Sequence, residues 1–370
     1  MRGTKPRPTG ERAARLWATQ EGRSYPGPVL DRLRRPLTPA QYQRITVAAL
    51  ALLVAIVVTG AGVRLTGSGL GCTDWPNCTD TTLTPSNDLH ARIEFANRMV
   101  TGLVSAAVAL AVLGSLRRAP RRRDLVWLSV GLVGGVLGQI VLGGLVVLSH
   151  LNPWLVQGHM VISMVLVANA VVLSHRAARP DDAVVRPAVT PALLRWGQAL
   201  VGLATLTLLT GTLVTGSGPH SGHQEAPPGA TRAEQLEVAR EVKRLPLAVH
   251  DAARVHGVAM IAFLAATVWV LVQLRRHHHG RPGAEALTHS AQALVTVLVL
   301  QAALGYTQYF TGVPPLLVAL HVLGASLVWV AVLSLHLRMR EPVEPDPSGP
   351  RESGREHAGH LPHGDLVTNR

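Results

Sequence analysis

"QIVLG", residues 139–143, lies inside an apolar run and is followed by His159; "QAALG", residues 301–305, lies inside another and is followed by His321. In both cases the His comes 20 residues after the Gln. A shared Gln-x3-Gly with a His at identical spacing is hard to obtain by chance. It decides the fold, because it turns a string of apolar segments into two copies of one unit. A second echo supports it. Thr59-Gly60 leads into Thr66-Gly67-Ser68-Gly69, and Thr210-Gly211 leads into Thr215-Gly216-Ser217-Gly218.

Working outward, eight segments are long enough to cross a hydrocarbon layer, which takes about 20 apolar residues. They lie near 44–64, 93–116, 125–147, 154–174, 194–215, 253–274, 288–308 and 314–336. Each is expected to be a helix, since a membrane segment must satisfy its own backbone. The expected fold is therefore an all-α membrane protein of eight transmembrane helices, arranged as two pseudo-symmetric four-helix bundles. The halves span 44–174 and 194–336, with a basic tail at 1–43, a linker at 175–193 and a disordered tail at 337–370 rich in Pro, Glu, Gly and His.

The chain has 370 residues, 48% hydrophobic and 15% charged, a balance too apolar for an ordinary soluble protein of this length. Its formal net charge of +13 would fit a nucleic-acid partner only if Lys and Arg shared one face. Instead they fall in the tails and in alternate short loops: Arg117, Arg118 and Arg121–Arg123, then Arg176, Arg179 and Arg186, then Arg275, Arg276 and Arg281. The loops at 148–153 and 309–313 have neither. This is the pattern of basic cytoplasmic loops, so both termini are expected inside and the loops at about 65–92 and 216–252 outside. The first 40 residues have no apolar core and do not read as a cleavable signal peptide.

Three histidines, His159, His256 and His321, lie within apolar helices a few residues from the outward ends. One alone is as readily explained by a helix–helix hydrogen bond. Three at equivalent depths in a repeated scaffold point to haem iron, which bundle interiors hold through imidazole. His256 and His321 are expected to face each other as a bis-His pair. Zinc is the alternative, but it wants three or four ligands together.

The first half breaks the symmetry. His159 matches His321, but Asn97 stands where the second half has His256, and Asn is a poor iron ligand. Three residues before Asn97, on the same helical face, is Glu94, whose counterpart is about Ala253. One half thus reads as a holding site and the other as a reaction site. The alternative for Glu94 is an interfacial acid paired with Arg98 or His90. Cys72 and Cys78 are the only cysteines, on the oxidising side, and a disulfide is expected; a redox-active one is the alternative.

The stretches "TGAGVRLTGSGLGCTDWPNC" (59–78), "IEFANR" (93–98), "LNPWLVQGHM" (151–160), "VHGVAM" (255–260) and "LLVALHVLG" (316–324) together resemble the haem A synthase family. The resemblance covers nearly all of 44–336. It implies an enzyme that oxidises the C8 methyl group of haem O to a formyl group, giving haem A. By this resemblance His256 and His321 hold a permanent haem b, Asn97 and His159 line the substrate haem, Glu94 is the key acid, and Cys72 and Cys78 form the outward pair. Arg64 and Arg98, near the outward boundary, are expected partners for haem propionates. The implied partners are haem O, a haem O synthase, an electron acceptor and membrane lipid, with a homo-oligomer left open. The chain departs from many members in having Asn97 instead of His, and from some in lacking a second cysteine pair in the later outward loop. Two other readings use the same residues: a membrane b-type electron-transfer protein, and a haem carrier or oxidase-assembly factor without catalysis.

Overall fold

The computed structural model describes residues 36–72, 74–218, 231, 243–277 and 284–343. Among them are eight long apolar helices, each able by length and composition to cross a membrane: α1 (Pro39–Leu65), α2 (Leu89–Arg117), α3 (Arg123–Leu148), α4 (Pro153–Ala177), α5 (Pro191–Ser217), α6 (Val249–His277), α7 (Ala284–Phe310) and α8 (Pro315–Arg338). Each contains one of the eight expected segments almost whole, and most reach further, chiefly at the N-terminal end. The reason is capping. Hydropathy marks the span, while the polar residues that satisfy the first amide groups lie just before it. Thr38 and Gln41 form a reciprocal capping box on α1. Asp88, Asn152 and Thr190 accept amide hydrogens at the starts of α2, α4 and α5. Proline occupies the first helical position of α1, α4, α5 and α8, where its missing N–H costs nothing.

The described residues fall into two compact units, divided between Ala178 and Arg179, with Lys243 and Arg244 belonging to the first. In the first, α1 packs against α2 and α4, and α3 against the same two, so the four helices close into a ring. In the second, α5 and α7 each pack against α6 and α8. No more than 33% of the apolar window of any helix is buried by protein. Side chains such as Trp127 and Leu300, 73% and 64% exposed, are what lipid would cover.

Two features depart from the sequence expectation. The linker is not structureless: Val184–Pro187 (β1) pairs antiparallel with Arg340–Val343 (β2). β2 lies in what reads as a disordered tail, and α8 continues to Arg338. Four-residue strands that pair from opposite ends of the second unit leave no periodic signal in a Pro- and Glu-rich context. The rest of both tails, and most of the loop 216–252 with His220 and His223, lies outside the described residues.

Candidate functional site

The second unit is the simpler of the two. His256 on α6 and His321 on α8 face each other with ring centroids 6.4 Å apart and planes at 72°. Metal–imidazole bonds of about 2 Å, with each ring centre about 1 Å behind its nitrogen, give roughly this separation for two imidazoles on opposite sides of one ion. His256 Nδ1 is 3.0 Å from the Thr207 carbonyl oxygen and 3.3 Å from the Thr210 hydroxyl. A carbonyl oxygen only accepts, so Nδ1 carries the proton and Nε2 keeps its lone pair for a metal. His321 Nδ1 is buried with no hydrogen-bond partner.

The repeated Gln-x3-Gly now has a physical meaning. Gln301 Nε2 donates to the His321 carbonyl oxygen at 2.7 Å, tying α7 to the turn of α8 that carries the His. Gly305 leaves room for the ring, because a Cβ there would stand 3.1 Å from His321 Cε1. Gly211 does the same for His256 across α5, also at 3.1 Å. Replacing either glycine by alanine is expected to push its imidazole off the shared axis, at an overpacking cost of about 1–3 kcal/mol. The optical spectrum of any haem bound by the pair should then lose intensity without loss of the helical circular dichroism.

The first unit repeats these contacts with one substitution. Gln139 Nε2 donates to the His159 carbonyl oxygen at 3.0 Å, and a Cβ at Gly143 would meet His159 Cε1 at 3.5 Å. His159 Nδ1, like that of His321, is buried without a partner. Where Thr210 meets His256, Thr59 meets Asn97: its hydroxyl donates to Asn97 Oδ1 at 2.8 Å. A Cβ at Gly60, the counterpart of Gly211, would meet nothing within 4 Å. The turns agree as well. His150 and Leu151 have φ of 54° and 58°, and Gly312 and Val313 have 81° and 62°. Both pairs stand 162 residues apart, the offset that relates Gln139 to Gln301 and His159 to His321. Left-handed backbone at a leucine and a valine is unfavourable. It persists because the Leu151 and Val313 amides donate to Val146 and Gln308 carbonyls.

Glu94 is buried near the start of α2, and both its oxygens are engaged. Oε2 accepts from the Cys72 amide at 2.8 Å, and Oε1 from Arg98 at 2.7 Å. Arg98 also donates to the carbonyl oxygens of Asp74, Pro76 and Asn77. Cys72 and Cys78 are disulfide-bonded and buried against Ala91 and Phe95. The disulfide loop is thus strapped onto α2 by an acid–base pair. Its glycines follow from the same closeness. A Cβ at Gly71 would lie 2.3 Å from the His90 carbonyl carbon, and Gly144 of α3 accepts the Trp75 ring at a distance that no Cβ fits. Ser68 Oγ bonds His90 Nδ1 at 3.0 Å, and Gly67 turns the chain with φ 68°.

The structure therefore brings Glu94, Arg98, Cys72 and Cys78 into one cluster, pairs Asn97 with Thr59, and pairs His256 with His321. Arg98 spends both terminal nitrogens on the loop and on Glu94, and so clamps the loop to α2. Arg64 lies half-buried in the last turn of α1. The threonines at 59 and 210 do not stand out as site residues in the sequence. The repeated Thr-Gly pair is the signal available for them.

Comparison with known proteins is consistent across the chain. The model of a family described as cytochrome oxidase assembly protein, COX15-CtaA, matches residues 43–92 and 88–333. A Staphylococcus saprophyticus protein named Heme A synthase is 24% identical over 294 residues, covering 77% of this chain and 91% of its own. Proteins of the same name from a Methylobacterium species and from Listeria welshimeri are 28% and 26% identical. These matches cover 75% and 79% of this chain and 86% and 93% of theirs.

Proposed function

Because the chain belongs to the cytochrome oxidase assembly protein family COX15-CtaA, we propose that it is a haem A synthase, a membrane oxidoreductase that converts the C8 methyl group of haem O into a formyl group. The net change consumes one water and releases four electrons and four protons, so the site must bind a haem, move protons and pass electrons on.

The observation that carries this reading is the contrast between the units: an imidazole pair 6.4 Å apart in one, and in the other His159 with no such partner ring among the described residues, Asn97 standing where the second half has His256. His256 and His321 are the residues proposed to hold haem b, and the partnered Nδ1 of His256 and the buried His321 ring fit that group. Zinc fits less well, since the described residues contain no group of three or more His, Cys, Asp or Glu suited to a metal ion. Haem iron needs only axial ligands from protein. Haem b bound there would supply one-electron transfer.

In the first unit His159 is proposed to bind the substrate haem from one side. Gln139 holds the His159 backbone, so the imidazole approaches from a fixed direction. Glu94 accepts from the Cys72 amide and from Arg98, and the Gly71 amide also bonds to it. Its carboxylate is proposed to take a proton from attacking water or to stabilise positive charge at the oxidised methyl carbon. Arg64 is proposed to pair with a propionate. The disulfide loop, docked by Glu94 and Arg98, covers this end of the unit and keeps the acid in place.

The proposed setting is the cell membrane, with both termini cytoplasmic and the disulfide loop outside, from the distribution of Lys and Arg. Residues 44–174 would form the substrate half and 194–336 the haem b half, related as a parallel repeat. Haem O synthase would supply the substrate, and an electron acceptor would complete the cycle. Extraction of haems from cells making haem O, with and without this chain, tests the reading. Haem A is expected only with the chain. If the cells yield haem O but no haem A, haem O bound to the purified chain would favour the carrier reading, and its absence from the purified chain the electron-transfer protein.

A further inference from the structure

We infer that Asn97 and Thr59 form a binding face for a small exogenous iron ligand, water-sized and lone-pair-bearing, opposite His159. This rests on the proposal that the first unit holds the substrate haem. The argument is the substitution of one member in an otherwise repeated set of contacts. In the second unit Thr210 meets an imidazole, His256, whose ring fills the space beside Gly211. In the first, Thr59 meets a shorter amide, and the space beside Gly60 stays open to at least 4 Å. The Thr59 hydroxyl occupies Asn97 Oδ1, so the amide is turned with Nδ2 free of that contact. Among the described residues no acceptor is bonded to Nδ2. The position that would carry a metal ligand thus carries an oriented N–H donor beside room for a small molecule. An amide donor does not ligate iron, but it holds an iron-bound ligand by hydrogen bond. Thr59 is the positioning residue that fixes which end of the amide faces the space.

The full-length protein, purified from cells that make haem O, provides the test, with carbon monoxide as probe of the reduced form and cyanide of the oxidised form. The low-spin spectrum assigned to His256 and His321 serves as the folding control in every sample. The wild type is expected to bind both probes. Asn97→His should bind neither and gain a second low-spin haem. Asn97→Ala should still bind carbon monoxide but lose about tenfold in cyanide affinity, the size of one hydrogen bond to a charged ligand. Thr59→Val should lose a severalfold part of that. A wild type that holds haem O yet binds neither probe would overturn the inference while leaving the function standing, as would an Asn97→Ala variant with unchanged cyanide affinity. A first unit that takes up no haem at all would overturn both.

Discussion

Glu94→Ala is expected to stop haem A production and leave haem O accumulating in a protein that still shows its low-spin b-type spectrum. The substitution strips the buried Cys72 amide of its acceptor and takes from Arg98 its carboxylate partner, leaving Arg98 the three loop carbonyls. A buried amide left unsatisfied costs about 1–3 kcal/mol. The disulfide loop should therefore loosen, and its protection from proteolysis should fall while the bundle stays intact. Because the same side chain both docks the loop and is proposed as the catalytic carboxylate, a second variant separates the roles. Glu94→Gln keeps an acceptor oxygen for the Cys72 amide or for Arg98 and a side chain of the same shape. It is expected to restore much of the loop's protection but not haem A. A Gln variant with wild-type haem A content would reassign Glu94 to holding the loop alone.

His256→Ala and His321→Ala are each expected to abolish the low-spin b-type spectrum outright. Both rings are proposed to ligate one iron, and the described polar partners of His256 offer no replacement: Thr207 and Thr210 lie on its Nδ1 side, away from the proposed ligating nitrogen. Loss of either ligand also leaves an unfilled volume between α6 and α8, so a lower melting temperature should accompany the spectral change. An unchanged spectrum in either variant would sink the ligand assignment. The glycine variants described above are the milder form of this experiment, since they displace an imidazole and do not remove it.

Much of this was legible in the sequence, for identifiable reasons. Apolar runs of membrane-spanning length have only one regular solution, so the eight helices followed directly. The Gln-x3-Gly-to-His spacing recurs because geometry constrains every member of it. Gln139 and Gln301 tie the carbonyl of the His, and the glycines clear its ring. What stayed hidden depends on contacts between residues far apart in sequence. That Glu94 docks Cys72 and that Arg98 clasps three loop carbonyls follows from how the 66–78 loop folds back on α2, which no periodicity records. Gly71 shows the point well, since its need for a hydrogen side chain comes from the backbone of His90. The β1–β2 pair is hidden for a similar reason, its partners lying in two segments that separately read as linker and tail.

The division of labour between the two units is tested most directly by chromatography of the haems extracted from purified His159→Ala, prepared from cells that make haem O. The account predicts that haem b remains at the wild-type ratio to protein while haem O and haem A are lost. Loss of haem b together with the substrate haem, or retention of haem O and haem A at wild-type levels, would contradict it.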